Sequence, residues 1–164
     1  YYRQSLDKLI KEQRKLSKMT KGSNNYKKQR FKVAKIHEKV ANQRKDFLHK
    51  LSRQITNAYD VVCIEDLNMK GMSQSLHFGK SVADNSWGMF TSLLAYKLQD
   101  EGKLLVKIDK FYPSSKTCSH CGSVKDKLSL TERTYVCDVC GTVIDRDYNA
   151  SINIKNEGMR LIFA

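Results

Sequence analysis

Two Cys-x-x-Cys pairs restrict the fold of this chain more than any other feature. Cys118 and Cys121 form the first pair, and Cys137 and Cys140 form the second after a gap of fifteen residues. Each pair aims two sulfurs at one ion, and a short hairpin spans the gap, which is the pattern of a four-thiolate zinc site. A redox dithiol is the alternative, but it needs only one pair. We therefore predict a structural zinc ribbon over residues 114–145.

Glycines directly follow both pairs, at Gly122 and Gly141. A tight knuckle needs a residue that tolerates positive φ at this point, and glycine has no side chain to oppose it. His120 lies inside the first pair. Because four thiolates are available, we interpret this histidine as a bystander. The fifth cysteine, Cys63, lies in an apolar run and is interpreted as a small core residue.

Cysteines grouped in this way are typical of a reducing compartment, where metal binding is more common than disulfide formation. No segment approaches the ~20 apolar residues that span a bilayer, and the first residues lack the apolar region of a signal peptide. The sequence therefore predicts a soluble, cytoplasmic chain that binds no membrane. We also expect it to be a piece of a longer protein.

The net charge of +13 is concentrated in the first third of the chain. Residues 1–56 contain 17 Lys and Arg against 4 Asp and Glu, whereas residues 57–164 contain 13 of each. Pairing between opposite charges cannot explain an excess of one sign, which favours a polyanionic partner. Two alternatives stay open. One is a solvated face on a packing helix; the other is a helix at a membrane surface, which the lack of Trp on the apolar face disfavours.

Helical periodicity predicts two helices in this basic region. The run GSNN at residues 22–25 separates them, and a continuous helix over residues 26–56 would be roughly 45 Å long. That length suits a helix that runs along a duplex. The candidate phosphate contacts are Lys27, Lys28, Arg30, Lys32 and Lys35. The apolar positions are Leu6, Leu9, Ile10 and Leu16 in the first helix, and Val33, Ile36, Val40, Phe47, Leu51 and Ile55 on one face of the second.

The pattern changes after the basic region. The run VVCI at residues 61–64 predicts a strand buried on both faces, and KLLVKID at residues 103–109 predicts a second strand. Between them, a loop precedes a helix over Asn85 to Asp100 that ends at Gly102, with an apolar side. A strand, a helix and a strand predict a βαβ unit with parallel neighbouring strands, and hence an α/β class. The apolar side consists of Trp87, Phe90, Leu93, Leu94 and Leu98.

Two acidic residues occupy positions where α/β proteins place chemistry. Glu65 ends the first strand, and Asp147 lies just before the run NASINI, next to a predicted helix N-terminus. Two carboxylates from separate elements could share divalent cations, and Mg²⁺ is the usual ion in enzymes that cleave phosphodiesters. Acids at strand ends and helix starts are also common, and either Asp145 or Asp147 could be an N-cap. From the residues alone, both readings stay open.

Three motifs, taken together, resemble the TnpB (OrfB) family encoded by insertion sequences. They are IEDLNMKGM at 64–72, SSKTCSHCG at 114–122 and YVCDVCGTVIDRDYNASINI at 135–154, and a basic helix precedes them. The family is similar to the type V CRISPR nucleases. The resemblance implies a RuvC-like nuclease of RNase H fold, interrupted by a zinc ribbon, that uses a guide RNA to select DNA for Mg²⁺-dependent cleavage. Older descriptions call it a transposase.

Residue by residue, the resemblance implies that Glu65 is the second catalytic carboxylate of the family and Asp147 the third. Asp145 is then a structural neighbour. The zinc ligands would be the four paired cysteines, and the partners would be DNA and guide RNA in a prokaryotic cytoplasm, at the nucleoid. Residues 1–58 would be a basic hairpin, 59–113 the strand-helix-strand core, 114–145 the ribbon and 146–164 the last helix.

One departure from the family pattern affects the expected activity. Nothing before the hairpin resembles the first three strands of an RNase H fold, the first of which carries the first catalytic aspartate of the family. We therefore expect a partial RNase H-like (RuvC) fold without those strands, from a fragment or a decayed copy, inactive alone. Two functions stay open: part of an RNA-guided DNA endonuclease, or a non-catalytic zinc-ribbon module that binds nucleic acid.

Overall fold

The computed structural model contains both helices and strands, in agreement with the predicted α/β class. The chain divides into two compact units, Tyr1–Gln54 and Ile55–Ala164. The predicted loop after the first strand and the predicted helix start at Asn85 lie outside the described residues. Those described are 2–67, 86–129 and 131–164.

The basic region forms two helices, α1 (Tyr2–Ser17) and α2 (Asn24–Ala58). Between them Gly22 adopts a φ of 87°, which only glycine reaches without strain. The hydroxyl of Ser23 then accepts a hydrogen bond from the amide of Tyr26 at 3.1 Å and so caps the start of α2. With 35 residues, α2 is about 52 Å long at the rise of an α-helix.

Leu9 of α1 packs with three residues of α2 in one buried apolar cluster, Val33, Ile36 and Val40. The prediction for the second half of α2 is wrong at Phe47, which is 61% exposed, while its neighbour Leu48 is 6% exposed. From Leu48 onward, every fourth residue of α2 is buried. Since α1 is less than half as long as α2, the surroundings of α2 change along its length. A pattern based on one constant buried face cannot anticipate that change. The later buried positions are Leu48, Ser52 and Thr56.

The predicted βαβ unit is present. Strands β1 (Val61–Glu65) and β2 (Leu104–Ile108) pair in parallel, and helix α3 (Trp87–Asp100) connects them. The helix ends where predicted, because Gly102 has a φ of 68°. The amides of Gly102 and Lys103 then bond to the carbonyls of the last turn of α3, as in a helix C-cap.

Burial in this unit is less complete than the sequence suggests. Only Ile64 of β1 is buried, and Val61, Val62 and Cys63 are half-buried. The described part of the sheet has two strands, so each strand has one paired edge. The apolar side of α3 is buried at Leu93, Leu94 and Leu98, whereas the rings of Trp87 and Phe90 are half-buried and lie 5.9 Å apart.

The ribbon contains two short antiparallel strands, β3 (Thr134–Val136) and β4 (Val143–Asp145). They flank the second cysteine pair, so the predicted hairpin across the gap between the pairs is wrong. The reason is geometric: the knuckle itself is the tight turn that joins the two strands. A single antiparallel bridge, Thr117 with Val124, flanks the first pair in the same way.

The last helix, α4 (Arg146–Phe163), packs against both strands of the parallel sheet. At Gly158 the helix backbone lies directly against β1, and an added Cβ would overlap the Sγ of Cys63. Cys63, predicted from the sequence to be a small core residue, is half-buried and packs against this helix. None of the described helices combines the length and the apolar character needed to cross a membrane.

Candidate functional site

The four paired cysteines come together at one point of the ribbon. All four Sγ atoms lie within 4.8 Å of one another, with Cys118 and Cys140 3.7 Å apart and Cys121 and Cys137 3.6 Å apart. A tetrahedral zinc ion with Zn–S bonds of about 2.3 Å requires sulfurs about 3.8 Å apart. The cluster is therefore compatible with the predicted zinc ribbon. His120 is not in the cluster formed by the described residues.

The two knuckles have matching backbone geometry. In each, the amide of the glycine after the pair donates to the carbonyl of the first cysteine, at 2.9 Å for Gly122 and 3.0 Å for Gly141. Their φ angles are 77° and 72°, as predicted from the sequence. The amides of Cys118 and Cys137 donate at 2.8 Å to the carbonyls of Ser123 and Thr142, which closes both turns.

Hydroxyl groups reach the sulfurs from the residue after each glycine. The Oγ of Ser123 lies 3.2 Å from the sulfurs of both Cys121 and Cys137, and the Oγ1 of Thr142 lies 3.1 Å from that of Cys140. The Ser123 hydroxyl is the main reason that the pKa of Cys137 falls to about 5. Burial instead raises the pKa of Cys118 to about 11. Zinc would therefore have to displace a proton from Cys118 on binding.

Beneath the cluster, Tyr135 is fully buried and packs with Cys118 and Cys137. Its hydroxyl donates to the carbonyl of Lys116 at 3.0 Å, so the buried polar group has a partner. Burial raises the pKa of Tyr135 to about 12. The ribbon thus has a small core of its own that surrounds the sulfurs.

The two predicted catalytic carboxylates occupy different surroundings. Glu65 ends β1, is half-buried, and accepts a hydrogen bond from the Ser114 hydroxyl at 2.5 Å. Asp147 lies in the first turn of α4 with 72% of its side chain exposed. Its carboxylate contacts Arg146 at 3.2 Å and Arg133 at 3.8 Å.

Asp145, not Asp147, is the N-cap of α4. Its Oδ1 accepts the amides of Asp147 and Tyr148, both at 2.9 Å. This leaves the Asp147 carboxylate without a capping role. Within the described ranges, the four cysteines form the only group of three or more potential ligands close together. Glu65 and Asp147 carry carboxylates of the type that Mg²⁺ prefers, but neither belongs to such a group in that part of the chain.

Sequence reasoning missed two asparagines of α4. Asn149 and Asn153 are 0% and 3% exposed. Their amide groups bond to the backbone of the segment that leads into the first knuckle, at Ser114, Thr117 and Ser119. The available signal was their spacing: two polar residues four apart share one helix face. In NASINI this face includes no charged residue.

The five predicted basic contacts are all exposed on α2. Two of them also have partners within the hairpin. Lys32 forms an ion pair with Glu12 at 2.9 Å, and Lys35 lies 4.7 Å from the ring centre of Phe31. A hydrogen bond from Gln29, followed by one from Lys32, lowers the pKa of Glu12. The other three predicted basic contacts are Lys27, Lys28 and Arg30.

Comparisons with known proteins cover most of the chain. A family described as "Probable transposase" matches residues 1–76, and one described as "Cas12f1-like, TNB domain" matches residues 87–154. A "Putative RNA-guided DNA endonuclease" from Streptomyces pristinaespiralis is 43% identical over 93% of this chain and 38% of that protein. The "Putative RNA-guided DNA endonuclease InsQ" of Escherichia coli K12 is 30% identical over 96% of this chain and 42% of that protein. The chain thus spans about two fifths of the length of these relatives.

The fold has counterparts among solved structures. A chain in the structure titled "Cryo-EM structure of the Cas12f1-sgRNA-target DNA complex" matches with a TM-score of 0.63 at 21% identity, over 92% of this chain and 40% of that one. A "CRISPR-Cas12f Ternary Complex" matches equally well, at 20% identity over 90% and 31%. At these identities the likeness concerns the fold alone.

Proposed function

The chain belongs to the TnpB (OrfB) family, and we therefore propose that it forms part of an RNA-guided DNA endonuclease that hydrolyses phosphodiester bonds with bound Mg²⁺. In this proposal its strands and last helix belong to a partial RNase H-like (RuvC) fold. The proposal keeps the segments predicted from the sequence: a basic hairpin (1–58), a core (59–113), a zinc ribbon (114–145) and a last helix (146–164).

The observation that carries the proposal is the placement of two acids. Glu65 lies at the carboxyl end of a parallel strand, where open α/β sheets hold their ligands. Asp147 lies in the first turn of α4, while Asp145 does the capping. Glu65 and Asp147 would hold Mg²⁺ through their carboxylate oxygens. When bound, Mg²⁺ activates the attacking water and stabilises the leaving oxygen of an in-line displacement.

Zinc has a different role in the proposal. Four thiolates leave no open coordination position, so the ion is structural and holds the ribbon together. Because β4 of the ribbon ends at Asp145, which caps α4, a closed ribbon helps to fix the start of the helix that carries Asp147.

The basic face of α2 is the proposed contact with the backbone of guide RNA or DNA. The exposure of Lys27, Lys28 and Arg30 supports this role. Lys32 supports it less, because part of its charge is already balanced by Glu12. Binding through phosphates requires charge and reach rather than a particular base sequence.

The test is cleavage by the family-length protein that contains this chain, purified with its RNA. We expect Mg²⁺-dependent cutting of target DNA that Glu65→Gln abolishes while RNA and DNA binding persist. The alternative is a non-catalytic binding module. The ion contacts of Asp147 with two arginines favour that alternative. This alternative predicts that the protein binds RNA and DNA without cutting DNA, and that wild type and Glu65→Gln give the same result in the cleavage assay.

A further inference from the structure

The buried face of α4 carries two amides that dock the helix on one loop. The Nδ2 of Asn149 donates to the Thr117 carbonyl at 2.7 Å, and its Oδ1 accepts the Ser119 amide at 2.9 Å. The Nδ2 of Asn153 donates to the carbonyls of Ser114 and Thr117, at 2.8 and 2.7 Å. Both amides are almost completely buried, where satisfied polar networks are rigid and specific.

Ser114 extends this network to the candidate catalytic acid. Its carbonyl accepts from Asn153, while its hydroxyl donates to the Oε1 of Glu65 at 2.5 Å. The loop itself is held in a tight turn, because the amide and the hydroxyl of Thr117 both donate to the Pro113 carbonyl, at 3.0 and 2.8 Å. A continuous chain of hydrogen bonds therefore connects α4 to the end of β1.

We propose that Ser114, Asn149 and Asn153 are positioning residues that fix the Glu65 carboxylate relative to Asp147. The inference rests on the proposed function, in which these two acids hold the same metal ions. Asp147 is two residues before Asn149 on α4, whereas Glu65 belongs to a strand. The two asparagines hold α4 against the loop, and the Ser114 hydroxyl orients Glu65 from that same loop.

The network also includes the first zinc knuckle. Ser119, whose amide bonds to Asn149, lies between the two cysteines of the first pair. The position of this knuckle therefore depends on the same side chain that holds α4. Closure of the ribbon and the orientation of Glu65 are thus parts of one hydrogen-bonded unit.

A purely structural role makes a different prediction. Buried asparagines with satisfied amides stabilise any fold, and their loss would lower the melting temperature without changing metal binding by an intact site. A positioning role requires that metal affinity changes while folding does not. Ser114 separates the two roles best, because Ser114→Ala removes one hydroxyl and keeps the carbonyl that Asn153 uses.

The experiment uses the zinc-loaded 164-residue chain and Mn²⁺ alone as the probe. Paramagnetic broadening of amide NMR signals near Glu65 and near Asp147 gives a binding midpoint for each acid. We expect one shared midpoint in wild type. In Ser114→Ala it should rise by about three- to tenfold, the range that corresponds to one hydrogen bond. Ser114→Thr keeps the hydroxyl, so its Mn²⁺ binding midpoint should equal that of wild type. Ser151→Ala, an exposed serine of the same helix, is the matched control.

Each outcome has a separate meaning. Equal midpoints in wild type and Ser114→Ala, with zinc content and melting unchanged, would overturn the inference and leave the proposed function intact. If Glu65→Gln shows the same Mn²⁺ broadening as wild type, Glu65 does not bind the metal, and both the inference and the proposed function are wrong.

Asn153→Ala tests the next step of the chain. It should raise the same midpoint, and its effect should not add to that of Ser114→Ala, because both act through one network. Full additivity would show that the two residues act separately and would contradict the proposed chain. If Asn153→Ala does not fold, the comparison of Ser114→Ala with Ser114→Thr decides.

Discussion

At the scale of single residues, the Ser123 hydroxyl has an unusual position between two sulfurs. It lies 3.2 Å from both Cys121 and Cys137, whereas Thr142 reaches only Cys140. Hydrogen bonds to thiolates stabilise the charged form that zinc requires, and partners of metal ligands typically contribute 10- to 100-fold in affinity. The two hydroxyls are therefore a natural comparison.

We expect Ser123→Ala to weaken zinc binding by about tenfold or more, and Thr142→Ala by less. Competition with a chromophoric chelator at constant pH measures both affinities. Ser129→Ala, in the ribbon, removes a hydroxyl whose described hydrogen bonds are with Thr131, and it should leave the affinity unchanged. Equal affinities for wild type and Ser123→Ala would show that this hydroxyl does not act on the metal site.

Residue identities in the site could be predicted unevenly from the sequence. The spacing of the cysteines is enough to group them, because four thiolates at one point have few other uses. The choice between Asp145 and Asp147 as the cap required coordinates, since either could accept the amides two and three residues after it. Ser114 could not be found by pattern, because its role arises from contacts with Glu65 and Asn153, which are distant in sequence.

At the scale of elements, α2 is a basic helix whose lysines have different local partners. Lys27 is exposed on the helix, whereas Lys32 is paired with Glu12 across the hairpin. A lysine already balanced by an acid releases fewer counterions when it meets a phosphate. The two residues therefore form a matched pair for a binding experiment.

Binding to RNA or DNA should weaken steeply with salt if α2 contacts phosphates. Lys27→Ala should lower the slope of log affinity against log salt by up to about one unit, and Lys32→Ala by less. Fluorescence anisotropy with a labelled strand at several salt concentrations measures both slopes. Affinity that does not change with salt would mean that the charges serve only to solvate the helix.

The contact of α4 with β1 gives a second prediction at this scale. A Cβ at Gly158 would overlap the Sγ of Cys63, so Gly158→Ala should lower the free energy of unfolding by roughly 1–3 kcal/mol through overpacking. Cys63→Ala removes the sulfur but keeps a Cβ 2.8 Å from the added one, so the double variant should recover only part of this loss. Thermal unfolding of the four proteins measures the effect. If the double variant loses as much stability as Gly158→Ala alone, the overpacking does not involve Cys63.

The helices and strands could be predicted from the sequence better than the burial of their residues. The parallel pairing of β1 and β2 follows from a strand, a helix and a strand in sequence, because such crossovers have few alternatives. The exposure of Phe47 did not follow, since it depends on where the partner of α2 ends. Burial is set by neighbours, which periodicity does not identify.

At the scale of the whole molecule, the chain consists of two compact units with different sources of stability. The first depends on apolar packing between two helices, and the second includes the four-cysteine cluster. Structural zinc in isolated fingers contributes on the order of 10 kcal/mol or more, so its removal should affect the second unit selectively.

We expect one zinc per chain by elemental analysis of protein purified under reducing conditions. Cys137→Ser should lose it, and hydrogen exchange should then become fast over residues 114–145 while α1 and the first half of α2 keep their protection. Protein without zinc, but with full protection of the ribbon, would contradict a structural role for the metal.

The central claim is that Glu65 and Asp147 are the catalytic carboxylates, with Asp145 as the cap. The most direct measurement is the initial rate of guide-directed, Mg²⁺-dependent DNA cleavage by the family-length protein with Asp147→Asn or Asp145→Asn. Loss of a metal ligand removes several kcal/mol of transition-state stabilisation, so Asp147→Asn should be roughly a thousandfold slower or worse. Asn caps helices about as well as Asp, so Asp145→Asn should stay within about threefold of wild type. Normal cutting by Asp147→Asn together with failure of Asp145→Asn would contradict the account.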